Sequence, residues 1–243
     1  SPGNVIAAPG DARRETDGVG RVRDAVKAAV VARADLMVIP ELSLSPRMLT
    51  ALQDFLADSA GRGPIGTVAG LMHHVPTDDE AAGALQSRFV NEAVVLGPTG
   101  VELHRHRKLS AATFQNRSED IRPGRSIFVL DTPAGGLAVV ICLDLFAQKS
   151  KARIHQLPAQ LLLVPSLSPG VSAHRSAASE AAHALWGLVL VCNRWFADDR
   201  GDAYSGSSRR SFAARAFTGC ESLRLGASPI SPSDGLFYYP HSE

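Results

Sequence analysis

Three short segments each place a reactive side chain at the C-terminal end of a predicted strand: Pro40-Glu41-Leu42, Arg107-Lys108-Leu109 and Ile141-Cys142-Leu143-Asp144. Acid, amine and thiol complement one another. A carboxylate can take the thiol proton, an ammonium can hold a developing oxyanion, and a thiolate can attack a carbonyl or nitrile carbon. A free thiol ionises near pH 8.5, roughly, so at neutral pH a base or cation must raise its reactive fraction. Each segment alone has a plainer reading. A cysteine after Val139-Val140-Ile141 is ordinarily inert core, Glu41 can cap the helix that starts near Ser45, and Lys108 belongs to a basic stretch. Only their joint order calls for chemistry.

Strand-length apolar runs alternating with helical patterns must position these groups. Val22, Val26, Ala29 and Val30 recur at helical spacing before the strand Leu36-Met37-Val38-Ile39. A second helix is predicted over residues 46–60, with Pro46 in the first turn and Met48, Leu49, Leu52, Phe55 and Leu56 as its stripe. Strands are predicted over 65–71, 89–96 and 101–106, the last two forming a hairpin around Gly97-Pro98-Thr99-Gly100. After a polar loop over 110–125 come strands 126–130 and 137–142, then helix 149–157, strand 161–164, helix 172–186 and strand 188–192. The pattern alone predicts a mixed sheet with helices on one face, too general to name a function.

Composition bounds the partners. Twenty-five Lys plus Arg against 24 Asp plus Glu leave no global field for nucleic acid or a membrane surface. The apolar runs fall short of the ~20 residues that cross a bilayer, and no charged-then-apolar stretch opens the chain, so a soluble protein is expected. Three cysteines, Cys142, Cys192 and Cys220, without C-x-x-C spacing, point to free thiols in a reducing, cytoplasmic setting. The opening Ser1-Pro2-Gly3, without methionine, is compatible with excision from a longer polypeptide. His73-His74 and His104 with His106 lack a third ligand at telling spacing, so no metal is expected. Tyr204-Ser205-Gly206-Ser207-Ser208 lacks the G-x-S-x-G frame, and Arg209, Arg210 and Arg215 read as a solvated face.

Val38-Ile39-Pro40-Glu41-Leu42, His104-Arg105-His106-Arg107-Lys108-Leu109, Arg122-Pro123-Gly124, Leu161-Leu162-Leu163-Val164-Pro165-Ser166 and Val191-Cys192-Asn193-Arg194 follow one another in a telling order. Together with the cysteine segment they resemble the nitrilase superfamily, the carbon-nitrogen hydrolases, from about Val5 to about Ser208. The resemblance implies an α/β fold, the α-β-β-α four-layer sandwich of that family, as a single domain over residues 1–243. Residues 227–243 form a Ser/Pro-rich and aromatic C-terminal segment. The chain departs from the family after the cysteine, where Asp144-Leu145-Phe146-Ala147-Gln148-Lys149 replaces an aromatic followed by Pro-Glu, and again at its C-terminus.

In family terms Glu41 would be the general base, Cys142 the nucleophile and Lys108 the cation on the tetrahedral intermediate, with the Leu143 backbone N–H as second oxyanion donor. Glu119 would be the second glutamate of the loop between lysine and cysteine; Glu102 precedes the lysine and is a poor substitute. The implied enzyme is a cysteine-dependent amidohydrolase that cleaves a non-peptide C–N bond in a small carboxamide, carbamoyl or nitrile substrate through a thioester. Neither metal nor organic cofactor is required, and a homodimer is implied. Acyl transfer to another acceptor, ammonia supply to a larger protein, and a catalytically silent interaction module stand as alternatives. Loops 110–121 and 171–174 are expected to line the pocket.

Overall fold

The computed structural model describes residues 12–76, 89–114, 117–133, 135–168, 172–194, 213–218 and 237–238. Segment 204–208, Arg209, Arg210, Cys220 and most of 227–243 lie outside these residues, and of Arg215 only the backbone is described.

Helix α1 (Ala12–Val31) buries Val22, Val26 and Ala29, spaced four and three residues apart on one face. Helix α2 (Pro46–Asp58) starts where Ser45 accepts the Met48 N–H at 3.3 Å and Pro46 fills a position that has no intrahelical N–H bond to lose. It buries Met48, Leu49, Leu52 and Leu56. Both helices cover a sheet of β1 (Leu36–Leu44), β2 (Gly66–Leu71), β3 (Glu92–Leu96), β4 (Glu102–Arg107) and β12 (Phe237–Tyr238). Its order is β12-β1-β2-β3-β4, with β1 and β2 parallel and the other neighbours antiparallel.

A second sheet comprises β7 (Val129–Thr132), β8 (Gly135–Val139), β9 (Leu161–Leu167), β10 (Leu188–Arg194) and β11 (Ala213–Thr218). In the order β11-β10-β9-β8-β7 its three central strands are parallel and its edges antiparallel. Helices α3 (Gln148–Ile154) and α4 (Ser172–Leu185) cover its outer face. The small residues Ala177, Ala178, Ala181 and Ala182 let α4 lie close to Ala138, Val164 and Val189. The inner faces meet through Val38, Val68, Ala93, Val95, Leu137, Val139, Leu163 and Leu190. Alternation along β1 sends Met37 and Ile39 to the helices and Val38 to the other sheet, so the central strands read as apolar throughout. This is the α-β-β-α sandwich, in which the mixed sheet with helices on one face occurs twice.

Element ends differ from expectation where polar residues or turns intervene. Strand β3 starts at Glu92 and β7 only at Val129. Strand β8 ends at Val139, and Cys142 opens a 3-10 turn, Cys142–Leu145, with φ +48°. The polar loop after Lys108 carries a short ladder of β5 (Thr113–Phe114) and β6 (Arg117–Ser118). Strand β1 bulges between Ile39 and Leu44, with Leu42 at φ +55°. A bulge re-aims a side chain, and this one carries Glu41.

Gly70 on β2 makes room for the bulge. A Cβ there would lie 2.4 Å from the Pro40 carbonyl oxygen and 2.5 Å from the Glu41 Cα, both backbone atoms. Gly70→Ala is therefore expected to lower the unfolding free energy in urea by about 1–3 kcal/mol. Gly20→Ala, in α1 with nothing within 4 Å of the added carbon, should raise it by about 0.5–1 kcal/mol.

Candidate active site

Glu41 in the β1 bulge, Lys108 just after β4, Glu119 just after β6 and Cys142 in the turn after β8 come together. Lys108 follows β4 and is 1 % exposed. Its Nζ donates to Glu41 Oε1 at 2.7 Å and to Glu119 Oε2 at 2.8 Å. Burial works against its charge, but the two carboxylates outweigh that and hold the lysine pKa above its ordinary value. An ammonium has three N–H donors, so one remains for a further acceptor.

The two carboxylates differ in how full they are. Glu119 accepts from His73 Nε2 (2.7 Å), Asn91 Nδ2 (2.6 Å), Lys108 Nζ (2.8 Å) and the Ala112 N–H (3.0 Å). Four donors occupy the roughly four lone-pair sites of a carboxylate. Burial raises its pKa, but His73 and Lys108 prevail and hold the group at about 2. Glu41 accepts three bonds: Lys108 Nζ and Asn91 Nδ2 (2.8 Å) on Oε1, and the Leu167 N–H (2.9 Å) on Oε2. One site on Oε2 accepts no further bond among the described residues, and the Glu41 charge acts on the Cys142 thiol. Glu119 is thus filled, while Glu41 keeps an acceptor site without a donor among the described residues.

The Cys142 thiol is 6 % exposed. Burial pushes its pKa up and the Glu41 charge adds to this, while Lys108 opposes both. Sγ lies 3.8 Å from the Leu167 carbonyl oxygen and 3.7 Å from His174 Nε2. In the turn the Leu143 carbonyl accepts from Phe146 and Ala147, whereas its N–H meets no acceptor among the described residues. Fully buried Asp144 ties this turn to the lysine strand, accepting the Leu109 N–H at 3.0 and 3.1 Å and the Ile141 N–H at 3.3 Å. Gly124 closes the strand end, donating to the Lys108 carbonyl at 2.7 Å. A Cβ on Gly124 would lie 2.3 Å from the Arg107 carbonyl oxygen, which explains glycine in Arg122-Pro123-Gly124.

Other polar residues fall elsewhere. Glu102 pairs with Arg105 at 2.6 Å. His74 holds Glu92 at 3.1 Å and the Met72 carbonyl at 3.0 Å, and these bonds raise its pKa. His73 and His74 thus engage different carboxylates. His106 Nε2 lies 3.7 Å from Asp144 Oδ2, and His104 stacks edge-on against Phe128. Cys192 donates to the Val38 carbonyl at 3.3 Å, and burial pushes its pKa to about 12, as for a core thiol. A cleft of about 1400 Å³ opens on the helix side of the first sheet beside Glu92, Arg105, Arg107 and Phe128; none of the four converging residues lines it.

The four residues singled out in the sequence converge, and three further side chains, Asn91, His73 and His174, join them. Asn91, whose amide bridges both carboxylates, was marked only by a polar pair, Asn91-Glu92, inside an apolar run. His73 was weighed as a metal ligand and instead holds Glu119. His174, grouped with a pocket loop, sits in the first turn of α4 at the sulfur.

The α-β-β-α architecture is the one expected of a carbon-nitrogen hydrolase. The family model for carbon-nitrogen hydrolases matches residues 5–211, and the chain belongs to that family, within the nitrilase superfamily. It is 28 % identical over 171 residues to omega-amidase NIT2 of Danio rerio, a match covering 62 % of this chain and 58 % of the relative. The match thus spans less than two thirds of that relative's length. Among solved structures it resembles a mutant of the amidase from Nesterenkonia sp. AN1 that bears the acetamide moiety of fluoroacetamide covalently on its active site cysteine (TM-score 0.62, 18 % identity, 90 % of this chain and 82 % of that one). The glutamine-dependent NAD+ synthetase of Acinetobacter baumannii is also similar (TM-score 0.61, 18 % identity, 94 % of this chain and 45 % of that one). At such identities these likenesses carry the fold. No helix among the described residues is long and apolar enough to cross a membrane.

The Glu119 pKa links the site to stability. Because the folded value is depressed, its contribution is fully present above the unfolded carboxylate range near pH 4.3, approximately, and is lost as pH falls toward about 2. Urea unfolding between those limits should show a shallower loss of stability with acidification in Glu119→Gln than in the parent.

Proposed function

We propose that this protein is a cysteine-dependent amidohydrolase that cleaves the C–N bond of a small carboxamide, carbamoyl or related substrate through a thioester on Cys142. One observation carries the reading: the buried Lys108 ammonium is shared by a saturated carboxylate and an unsaturated one, and the latter faces the thiol. Glu41 takes the thiol proton and sulfur attacks the carbonyl carbon. The oxyanion then lies between the third N–H of Lys108 and the Leu143 N–H, each such donor contributing about 10²–10³ in rate. Collapse breaks the C–N bond, and the departing nitrogen receives the proton held by Glu41. Water enters, gives its proton to Glu41 and displaces the sulfur, releasing the acid. Glu119, with every acceptor site filled, positions Lys108.

Transfer to another acceptor shares every step up to the thioester, and adding amines or thiols during turnover separates it from hydrolysis. A silent module would have no need of a buried lysine between two glutamates, since such charges are costly to bury. A small substrate suits a thiol so nearly enclosed. The free thiols Cys142 and Cys192 suit a reducing cytoplasm. The homodimer would pair α3 and α4 of two copies and cover Trp186, 86 % exposed just beyond α4; light scattering that gives a monomer removes it.

Fluoroacetamide should add one acetamide group to Cys142 by intact-mass and peptide mass spectrometry, and Cys142→Ala should show neither adduct nor turnover of small amides. Turnover retained in Cys142→Ala, or labelling of Cys142 no faster than of Cys192 and Cys220, overturns the reading. Lys108→Ala strands two buried carboxylates, so it should abolish the adduct and cost about 3–5 kcal/mol in urea unfolding.

A further inference from the structure

The Cys142 sulfur lacks an obvious donor for its anionic form. The Leu167 carbonyl at 3.8 Å is an acceptor only; it can hold the S–H of the resting thiol and offers a thiolate nothing. Lys108 is committed to Glu41 and Glu119, and its third N–H to the oxygen of the substrate. A thiolate would add a negative charge beside two carboxylates, where desolvation is costly. Charged or titratable groups reach the sulfur from three sides: Glu41 on β1, Lys108 after β4 and His174 on α4.

His174 is placed to fill the gap. It is 2 % exposed, its Nε2 lies 3.7 Å from Sγ, and it shares the buried face of α4 with Ala177, Ala178 and Ala181. Phe146, just past the cysteine turn, fixes the ring edge-on at 4.9 Å and 84°. An imidazole in an alanine stripe carries a desolvation cost that an apolar residue would avoid, and a contact with sulfur gives it a use.

We propose that His174 is a further catalytic residue whose Nε2–H donates to the Cys142 sulfur and holds it as thiolate. The inference rests on Cys142 being the nucleophile. The donor acts twice. When Glu41 takes the thiol proton, the electron pair left on sulfur is stabilised until the S–C bond forms. When water has added to the thioester and the C–S bond breaks, the pair returns to a sulfur that again meets the N–H. Sulfur then recovers a proton from Glu41, so His174 keeps its own throughout.

The test is the rate at which iodoacetamide alkylates Cys142 in the intact protein near neutral pH, followed by peptide mass spectrometry, with circular dichroism confirming the fold. His174→Leu should slow alkylation about tenfold or more, the loss of one charge-assisted hydrogen bond, and His174→Gln, which keeps an N–H, should recover most of it. His174→Phe, which keeps a ring against Phe146 without a donor, is read as the leucine variant is and replaces it if that variant fails to fold. Parental rates in the donor-free variants, or a glutamine variant as slow as they are, overturn the inference. A parent whose Cys142 reacts no faster than Cys192 instead overturns the thioester reading itself.

Discussion

A lysine ammonium sealed from water between two carboxylates is the constraint around which the rest is arranged. An isolated charge at that depth would neutralise or unfold its surroundings, so Lys108 persists only because Glu41 and Glu119 lie within hydrogen-bond distance. The carboxylates need partners in turn. Asn91 from just before β3, His73 from just after β2, the Ala112 N–H and the Leu167 N–H supply them. The donors are shared unequally: Glu119 accepts four bonds and Glu41 three. A half-satisfied network of this kind would be worse than an apolar core, which accounts for the number of its members.

The backbone accepts local cost to aim these groups. Leu42 and Cys142, neither of them glycine, sit in the left-handed region beside the acid and at the thiol, conformations that cost of order 1–3 kcal/mol and persist only where surroundings over-determine them. Gly70 beneath the β1 bulge and Asp144 within the cysteine turn are those surroundings.

Long apolar runs made the central strands legible in the sequence, because strands buried on both faces leave no polar interruption to misread. Helices α1 and α2 were legible from their stripes and α4 from its alanine-rich composition. Two sheets in place of one were legible only through the family resemblance, since periodicity reports that Val38 and Met37 are both buried and not what each meets. Glu41, Lys108 and Cys142 were legible through motif order, and Glu119 through its place in the loop. Asn91 and His73 gave little signal: a buried amide or imidazole means something only when its partners are known, and these lie 50 and 46 residues away along the chain. The end of β8 was set too late because an apolar run continues through Ile141 while the backbone has already turned.

The peptide group of Leu167, at the end of β9, faces two ways: its N–H meets the Glu41 carboxylate on the first sheet, and its C=O meets the Cys142 sulfur on the second. Neither half of the sandwich therefore holds Glu41, Lys108 and Cys142 together by itself. The thiol and the charged groups around it meet only on docking, so in nascent or partly unfolded chains they lie apart. By linkage, any ligand that requires the assembled site also clamps the two halves together.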